Sequence, residues 1–165
     1  WGDGKGKTTA AAGLSLRAAG AGKHVLFVQF FKTGNSSEIK PLKQLETVRT
    51  MHSAIPHHRF SKMDEEERVQ ARDDYRRLLR EALAGARGDV DLLVLDEAVS
   101  ACNREIISEE TLLDFLRTKP ERLEVVLTGR APSDALLSLA DYVTEMRKIK
   151  HPYDRGVRAR RGIEF

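Results

Sequence analysis

Short apolar, β-branched runs alternate with stretches of helical period along the whole chain, the pattern of parallel strands joined by crossover helices. Lys7 to Ala19, rich in alanine and leucine, reads as a helix that Gly20 and Gly22 end before a strand from Val25 to Phe30. Thr33 to Lys40 is polar and reads as a loop. A short strand near Leu45 to Met51 follows, then an aperiodic His- and Pro-containing surface loop from Met51 to Phe60. Asp64 opens an acidic first helical turn, and Val69, Tyr75, Leu78, Leu79, Ala82 and Leu83 mark one face of a long amphipathic helix ending near Gly85 or Gly88. Unbroken apolar character makes Leu92 to Leu95 and Leu123 to Leu127 buried strands, and between them Ser108 caps a helix running through Leu116. Pro132 to Leu139 reads as a short helix and Tyr142 to Met146 as a final strand. Together these elements predict an α/β fold, a doubly wound and mostly parallel sheet with helices on both faces.

Length and composition add bounds. A chain of 165 residues is the usual size of one domain, so residues 1–165 are read as a single unit with its own core. Hydrophobic residues at 41% and charged residues at 32% are ordinary for a globular protein, and no apolar run reaches the length of a membrane span. No membrane role and a cytoplasmic setting are therefore expected. The first residues carry no secretory signal pattern, and since the chain opens on Trp1 without an initiator Met, a segment upstream is expected. Cys102 stands alone, which leaves no intrachain disulfide and no paired spacing for zinc, so it reads as a packing residue. A net charge of +3 suits anionic ligands but is too small to indicate nucleic acid. Arg155, Arg158, Arg160 and Arg161 cluster near the C-terminus, as a solvated tail or as contacts to ligand phosphates or a neighbouring subunit.

The strongest chemical signal is Gly2-Asp3-Gly4-Lys5-Gly6-Lys7-Thr8-Thr9, running straight into the first helix. Glycines let backbone N–H groups turn inward around phosphate oxygens, and the helix N-terminus adds its positive dipole end. Lys7 then neutralises phosphate charge and Thr8 offers a hydroxyl to Mg²⁺. The loop is a variant: the common pattern places a glycine where this chain has Trp1, and Gly2 lies one position inside it. Such a loop predicts a phosphate-loop NTPase-like, RecA-like sheet with a strand upstream of Trp1. It also calls for an acidic metal partner at the end of a neighbouring strand, which Leu95-Asp96-Glu97 supplies; spacing does not decide which carboxylate touches the metal. Thr128-Gly129-Arg130 leaves another strand at the same edge, where Arg130 could reach a phosphate or serve as a capping or ion-pairing group. Gln29 and Lys32 stand similarly at the end of the second strand, for ligand contact or ordinary loop solvation.

These residues alone describe a Mg-ATP-binding α/β enzyme, with a small-molecule kinase, an NTP hydrolase and an ATP-switched nucleic-acid-binding module all open. Aromatic residues at 6% argue against the last. Further segments narrow the field. The variant loop, Val28-Gln29-Phe30-Phe31-Lys32, Leu95-Asp96-Glu97, Leu127-Thr128-Gly129-Arg130, Glu145-Met146-Arg147, Lys150-His151-Pro152-Tyr153-Asp154 and Gly162-Ile163-Glu164-Phe165 fall in the order and spacing of the corrinoid adenosyltransferases of the bacterial cobalamin pathway, which the chain resembles over almost its whole length.

The resemblance implies transfer of the adenosyl group of Mg-ATP to the Co(I) of a corrinoid, with release of triphosphate. It implies nucleotide roles for Gly2 through Thr9, metal roles for Thr8 and Glu97 with Asp96 assisting, and a place for His151 at the rim of the active site. Lys7, Thr8 and Glu97 are the residues it makes catalytic, with Gln29, Arg130 and His151 among the ligand contacts. A homodimer and a flavin-type reductase as electron donor are implied as partners, as is an ATP bound in the sense opposite to most phosphate-loop enzymes. The chain departs from the family pattern at one place: where many relatives carry Phe-Thr-Trp in the loop after the third strand, this sequence has His58-Arg59-Phe60.

Overall fold

The computed structural model describes residues 1–55 and 63–164. Among them, β1 (Val25–Gln29), β2 (Val48–His52), β3 (Leu92–Asp96) and β4 (Glu124–Leu127) form one sheet in the order β2-β1-β3-β4, with every neighbouring pair parallel. Parallel neighbours cannot be joined by tight hairpins, so the chain must cross over between them. Helices supply the crossovers. α1 (Lys7–Gly20) leads into β1, α2 (Ile39–Leu42) joins β1 to β2, and α3 (Glu65–Gly85) joins β2 to β3. α4 (Ala98–Cys102) and α5 (Glu109–Thr118) join β3 to β4, and α6 (Asp134–Leu139) follows.

All residues of β1 and β3 are buried, which explains why they are apolar up to their final Gln29 and Asp96: they are the central strands, and successive side chains point to opposite, equally covered faces. Val25, Phe27, Leu92 and Val94 pack with Ala11 and Ala18 of α1 and Ile39 and Leu42 of α2. Leu26, Val28, Leu93 and Leu95 face the other way, onto Tyr75 and Leu79 of α3 and Leu112 and Phe115 of α5. Removing one such side chain, as in Leu93→Ala, costs about 2–5 kcal/mol through lost transfer energy and the cavity left behind.

The predicted α/β class holds, as do β1, β3 and most of the helices. α3 begins as its acidic start suggests, with a reciprocal cap: Asp64 Oδ1 accepts from the Glu67 N–H at 2.9 Å, and the Asp64 N–H donates to Glu67 Oε2 at 3.1 Å. Four details differ. Val69 is 47% exposed; Ala71, one turn before Tyr75, takes the buried place on that face. The polar stretch after β1 ends in α2, and a short helix, α4, follows Glu97. Tyr142 to Met146 is not a strand, and Tyr142 is 93% exposed. Its backbone bonds go to Trp1 and to the glycine-rich loop: Trp1 N to Thr144 O at 2.9 Å, Met146 N to Trp1 O at 2.7 Å and Gly4 N to Met146 O at 2.7 Å. His58-Arg59-Phe60 lies outside the described residues.

The winding of the sheet positions the site. From β1 the chain first moves outward to β2, then returns to place β3 on the other side of β1. Loops leaving the C-terminal ends of β1 and β3 therefore diverge and open a crevice between them, the usual place for a ligand in an open parallel sheet. Gln29 and Asp96, the last residues of these strands, are register partners at the floor of that crevice.

Candidate active site

The glycine-rich loop wraps the N-terminus of α1 next to this crevice. Gly4 has no room for a side chain, since a Cβ there would sit 2.6 Å from the Met146 carbonyl oxygen. Lys7 opens α1 and folds its ammonium back onto the loop, donating to the Gly4 carbonyl at 3.0 Å. Partial burial lowers the Lys7 pKa from its usual value; Glu97 opposes that shift and Arg130 adds to it. Asp3 Oδ1 accepts from the Lys148 N–H at 3.0 Å, and that bond is the main reason its carboxyl is held below the ordinary range.

Asp96 closes β3 with a fully buried carboxylate. A buried charge is costly unless paired and hydrogen-bonded, and here donors surround it. Thr8 Oγ1 lies 3.0 and 3.1 Å from its two oxygens, Thr128 Oγ1 donates at 2.7 Å, Gln29 Nε2 at 3.2 Å and Lys32 Nζ at 2.9 Å. Glu97, the next residue, points elsewhere. Its backbone is left-handed at φ 64°, its N–H donates to Thr128 Oγ1 at 2.8 Å, and its Oε2 accepts from Ser100 Oγ at 2.6 Å. The two acids thus take different roles. Asp96 ties the first turn of α1 to the sheet, while Glu97 borders the open cavity.

The third strand end completes the wall. Thr128 bridges Asp96 and the Glu97 backbone, a linking role that a hydroxyl's combined donor and acceptor capacity allows. Gly129 is required at φ 148°, where an added Cβ would stand 2.7 Å from the Ser100 nitrogen. Its carbonyl accepts from the Gly2 N–H at 3.0 Å, which fastens the start of the loop to β4. Arg130 reaches the same cavity as the loop, and Asn103 Nδ2 fixes its backbone by donating to the Arg130 and Ala131 carbonyls at 2.7 and 3.0 Å. Phe31, Glu97 and Ala131, at φ 62°, 64° and 47°, place non-glycine residues in the left-handed region just past β1, β3 and β4. Backbone strain gathers where the strands deliver their side chains, as it does at functional sites.

A cavity of about 240 Å³ lies over this arrangement, lined by residues from Asp3 to Thr9 together with Glu97 and Arg130. The C-terminal segment forms its opposite wall through His151, Tyr153, Arg158 and Glu164. His151 lines this cavity, and it also acts locally, since its Nδ1 accepts from the Tyr153 N–H at 3.1 Å and caps the 3-10 turn Pro152–Arg155. The C-terminal arginines separate. Arg158 faces the cavity, whereas Arg160 clasps Glu164 at 2.8 Å, and Arg155 and Arg161 are exposed.

Of the residues singled out from sequence, Asp3 through Thr9, Glu97, Arg130 and His151 meet at this cavity, while Gln29, Lys32 and Asp96 form the buried network beneath Thr8. Gly2 sits at the edge, holding the loop to β4. Sequence reasoning missed Glu38, which accepts from Gln29 Nε2 at 3.2 Å, and Ser100, which orients Glu97. Neither sits in a motif; the short helix after Glu97 is the one signal that could have flagged Ser100.

The donor set suits a small hard cation. Thr8, Asp96 and Glu97 offer oxygens, and the buried Gln29 Oε1 carries no hydrogen bond, an open acceptor beside the network. No group of three or more His, Cys, Asp or Glu residues with metal-holding geometry occurs among the described residues. Magnesium does not need one: it is usually held by one or two carboxylates with the rest of its shell from phosphate and water.

A glycine-rich loop at a helix N-terminus, facing strand-end acids at the switch point of a parallel sheet, is the arrangement of a phosphate-loop nucleotide-binding α/β protein. The family model for the ATP:corrinoid adenosyltransferase BtuR/CobO/CobP matches residues 1–165. The corrinoid adenosyltransferase of Escherichia coli (strain K12) is 32% identical over 164 residues, covering 99% of this chain and 82% of the relative. The corrinoid adenosyltransferases of Salmonella typhimurium and Pseudomonas aeruginosa are 32% and 30% identical, again over 99% of this chain and over 82% and 80% of their own lengths. The chain belongs to the ATP:corrinoid adenosyltransferase family. Among the described residues, no helix is long and apolar enough to cross a membrane.

Proposed function

We propose that this chain transfers the 5′-deoxyadenosyl group of ATP to the Co(I) centre of a corrinoid and releases triphosphate from the cavity between the phosphate loop and Glu97. The cobalt electron pair forms the bond to C5′ as the C5′–oxygen bond breaks and its pair departs with the triphosphate. The observation that carries the reading is the meeting of the loop, Glu97 and Arg130 at one cavity, in a chain that matches the family from end to end.

The chemistry needs little from the protein beyond binding and charge. Co(I) is already nucleophilic, so no general base is required. Negative charge grows on the leaving triphosphate, and the loop N–H groups, Lys7 and Arg130 stabilise it more in the transition state than in the ground state. Bound magnesium supplies further neutralisation of that charge. Thr8 and Glu97 would hold it, Glu97 being aimed by Ser100, while Asp96 steadies Thr8 from below. Lys7 is free to play its part, because its ammonium donates to the Gly4 carbonyl, a weak partner that a phosphate oxygen displaces. His151 and Arg158 close the cavity from the C-terminal side. A flavin-type reductase supplies the electron that makes Co(I), the enzyme works in the cytoplasm, and it pairs as a homodimer.

Anaerobic mixing of the purified protein with Mg-ATP and chemically reduced cob(I)alamin tests the reading. Conversion to the light-sensitive adenosylcobalamin spectrum by the native chain, with a loss of at least about 10²-fold in Lys7→Ala, is the expected result. No alkylation by the native chain overturns it.

A further inference from the structure

Lys32 follows β1, where its sequence left ligand contact and loop solvation both open, and its ammonium stands at the centre of the network. Nζ lies 2.9 Å from Asp96 Oδ2, 3.0 Å from Thr8 Oγ1 and 3.7 Å from Glu38 Oε1. Thr8 is one of the two residues proposed above to hold the cation, and Asp96 is the buried carboxylate that steadies Thr8 from below. We infer that Lys32 is a resident counter-ion that keeps this position filled in the nucleotide-free enzyme, so that a divalent metal enters only together with an anion that draws the ammonium away.

Three observations support this. First, Asp96 is completely buried, and without Lys32 its charge would face only neutral donors from Thr8, Thr128 and Gln29. A buried carboxylate of that kind demands a cation, and Lys32 is the one within ion-pair distance among the described residues. Second, Lys32 can leave. Its side chain is 29% exposed on a flexible four-carbon stem, and Glu38, itself 24% exposed, offers a second anchor on the way out. Third, the Gln29 carboxamide is half engaged: Nε2 serves Glu38 and Asp96, while Oε1 is buried without a donor. The two carboxylates fix that orientation, since the reverse would turn the amide oxygen toward two anions. Nε2 thus shares with Lys32 the neutralisation of Asp96 and Glu38, and Oε1 remains an unmet acceptor in the same cluster.

An ammonium and a divalent ion cannot share so small a space beside the same oxygens, because like charges a few ångströms apart repel strongly where water is scarce. Metal affinity in the nucleotide-free enzyme is therefore suppressed, and a triphosphate relieves the suppression by bringing its own negative charge for Lys32 to pair with. The site admits the metal as a metal–polyphosphate complex and rejects the free ion. Lys32 is in this sense a positioning residue for the nucleotide reaction.

The inference rests on the nucleotide site proposed above, and its test needs neither corrinoid nor turnover. Free Mn²⁺, followed by electron paramagnetic resonance, would be titrated against the nucleotide-free native protein, Lys32→Met and Lys32→Gln, with and without tripolyphosphate. The expected result is weak Mn²⁺ binding by the native protein alone, binding at least about tenfold tighter by both variants alone, and strong binding by the native protein once tripolyphosphate is present. Thermal melts should show both variants less stable than the native chain without metal and recovering with Mn²⁺ alone, a rescue the native protein does not show. The glutamine variant keeps a hydrogen-bond donor without the charge, which preserves the test if the methionine variant folds poorly. Equal Mn²⁺ affinity in the native and variant proteins, or metal-free variants as stable as the native chain, overturns the inference. Either result leaves the adenosyl-transfer assay standing as the separate test of the proposed function.

Discussion

The Thr8 hydroxyl faces both carboxylate oxygens of Asp96, at 3.0 and 3.1 Å, and so joins the first turn of α1 to the end of β3 across 88 positions of sequence. Together with the Gly2–Gly129 bond, this contact ties the loop and the first turn of α1 to the sheet. Thr8→Val removes the hydroxyl and leaves a buried carboxylate one donor short, at a cost of about 1–3 kcal/mol. For a domain of this size each kcal/mol shifts the melting temperature by about 2–4 °C. Adenosyl transfer should fall at least about 10²-fold in the same variant. Thr8→Ser, which keeps the hydroxyl, should retain most of both, and a calorimetric melt alongside the transfer assay distinguishes the two variants.

Gly129 and Gly13 should respond in opposite directions to the same substitution. At Gly129 the backbone is left-handed at φ 148° and an added methyl meets the α4 backbone, so Gly129→Ala displaces both Arg130 and Ser100 and lowers stability by more than about 1 kcal/mol. At Gly13, inside α1, an added methyl meets nothing within 4 Å, and Gly13→Ala should stabilise by about 0.5–1 kcal/mol. Denaturant midpoints of the two variants give the comparison directly.

Much of this was legible because it is local. The loop announces itself by glycines and a Lys-Thr pair before a helix, and Asp96-Glu97 by following an apolar run. β1 and β3 were readable because a central strand covered on both faces stays apolar up to its last residue, here Gln29 and Asp96. What escaped was non-local. Tyr142 to Met146, opening on Tyr, Val and Thr, has the composition of a strand, but among the described residues its backbone partners are Trp1 and Gly4 rather than any of β1 to β4. The separate roles of Asp96 and Glu97 depend on a left-handed backbone at Glu97 and on Thr128 and Ser100 from other segments. Lys32 was readable only as a strand-end residue open to ligand contact or loop solvation, until the fold brought Thr8 and Asp96 to it.

Cys102 should be chemically silent. It is buried in the core beside α5, and burial, with Glu109 adding to the effect, pushes its thiol up to about 12. Almost no thiolate then exists at neutral pH, and the thiolate is the reactive form. The native protein should resist alkylation by iodoacetamide at pH 8 and react stoichiometrically once unfolded in guanidinium; rapid labelling of the folded chain would contradict the packing role.

The C-terminal wall of the cavity should loosen in acid. Arg160 donates to Glu164 through its side chain and its backbone N–H, and these bonds bring the Glu164 carboxyl from an ordinary value of 4.5 down to about 2. A carboxyl with a depressed folded-state pKa adds stability that is complete above the unfolded value and is lost as pH falls toward the folded one. The Arg160–Glu164 clasp is therefore intact at neutral pH and weakens progressively between about pH 4.5 and pH 2. The exchange protection of the Arg160 amide, relative to its intrinsic rate, should fall through that window, and Glu164→Gln should show reduced protection already at pH 7. A native amide whose exchange beyond the intrinsic pH dependence does not change would contradict the clasp.

Phosphorus NMR of the products tests the central claim most directly. With Mg-ATP and anaerobic cob(I)alamin, adenosyl transfer at the loop and Glu97 predicts one inorganic triphosphate for each cobalt alkylated, and no ATP consumed when the corrinoid is left out. ADP or orthophosphate appearing instead, with the cobalt unalkylated, would mean that the cavity moves a phosphoryl group and that the adenosyl-transfer reading is wrong.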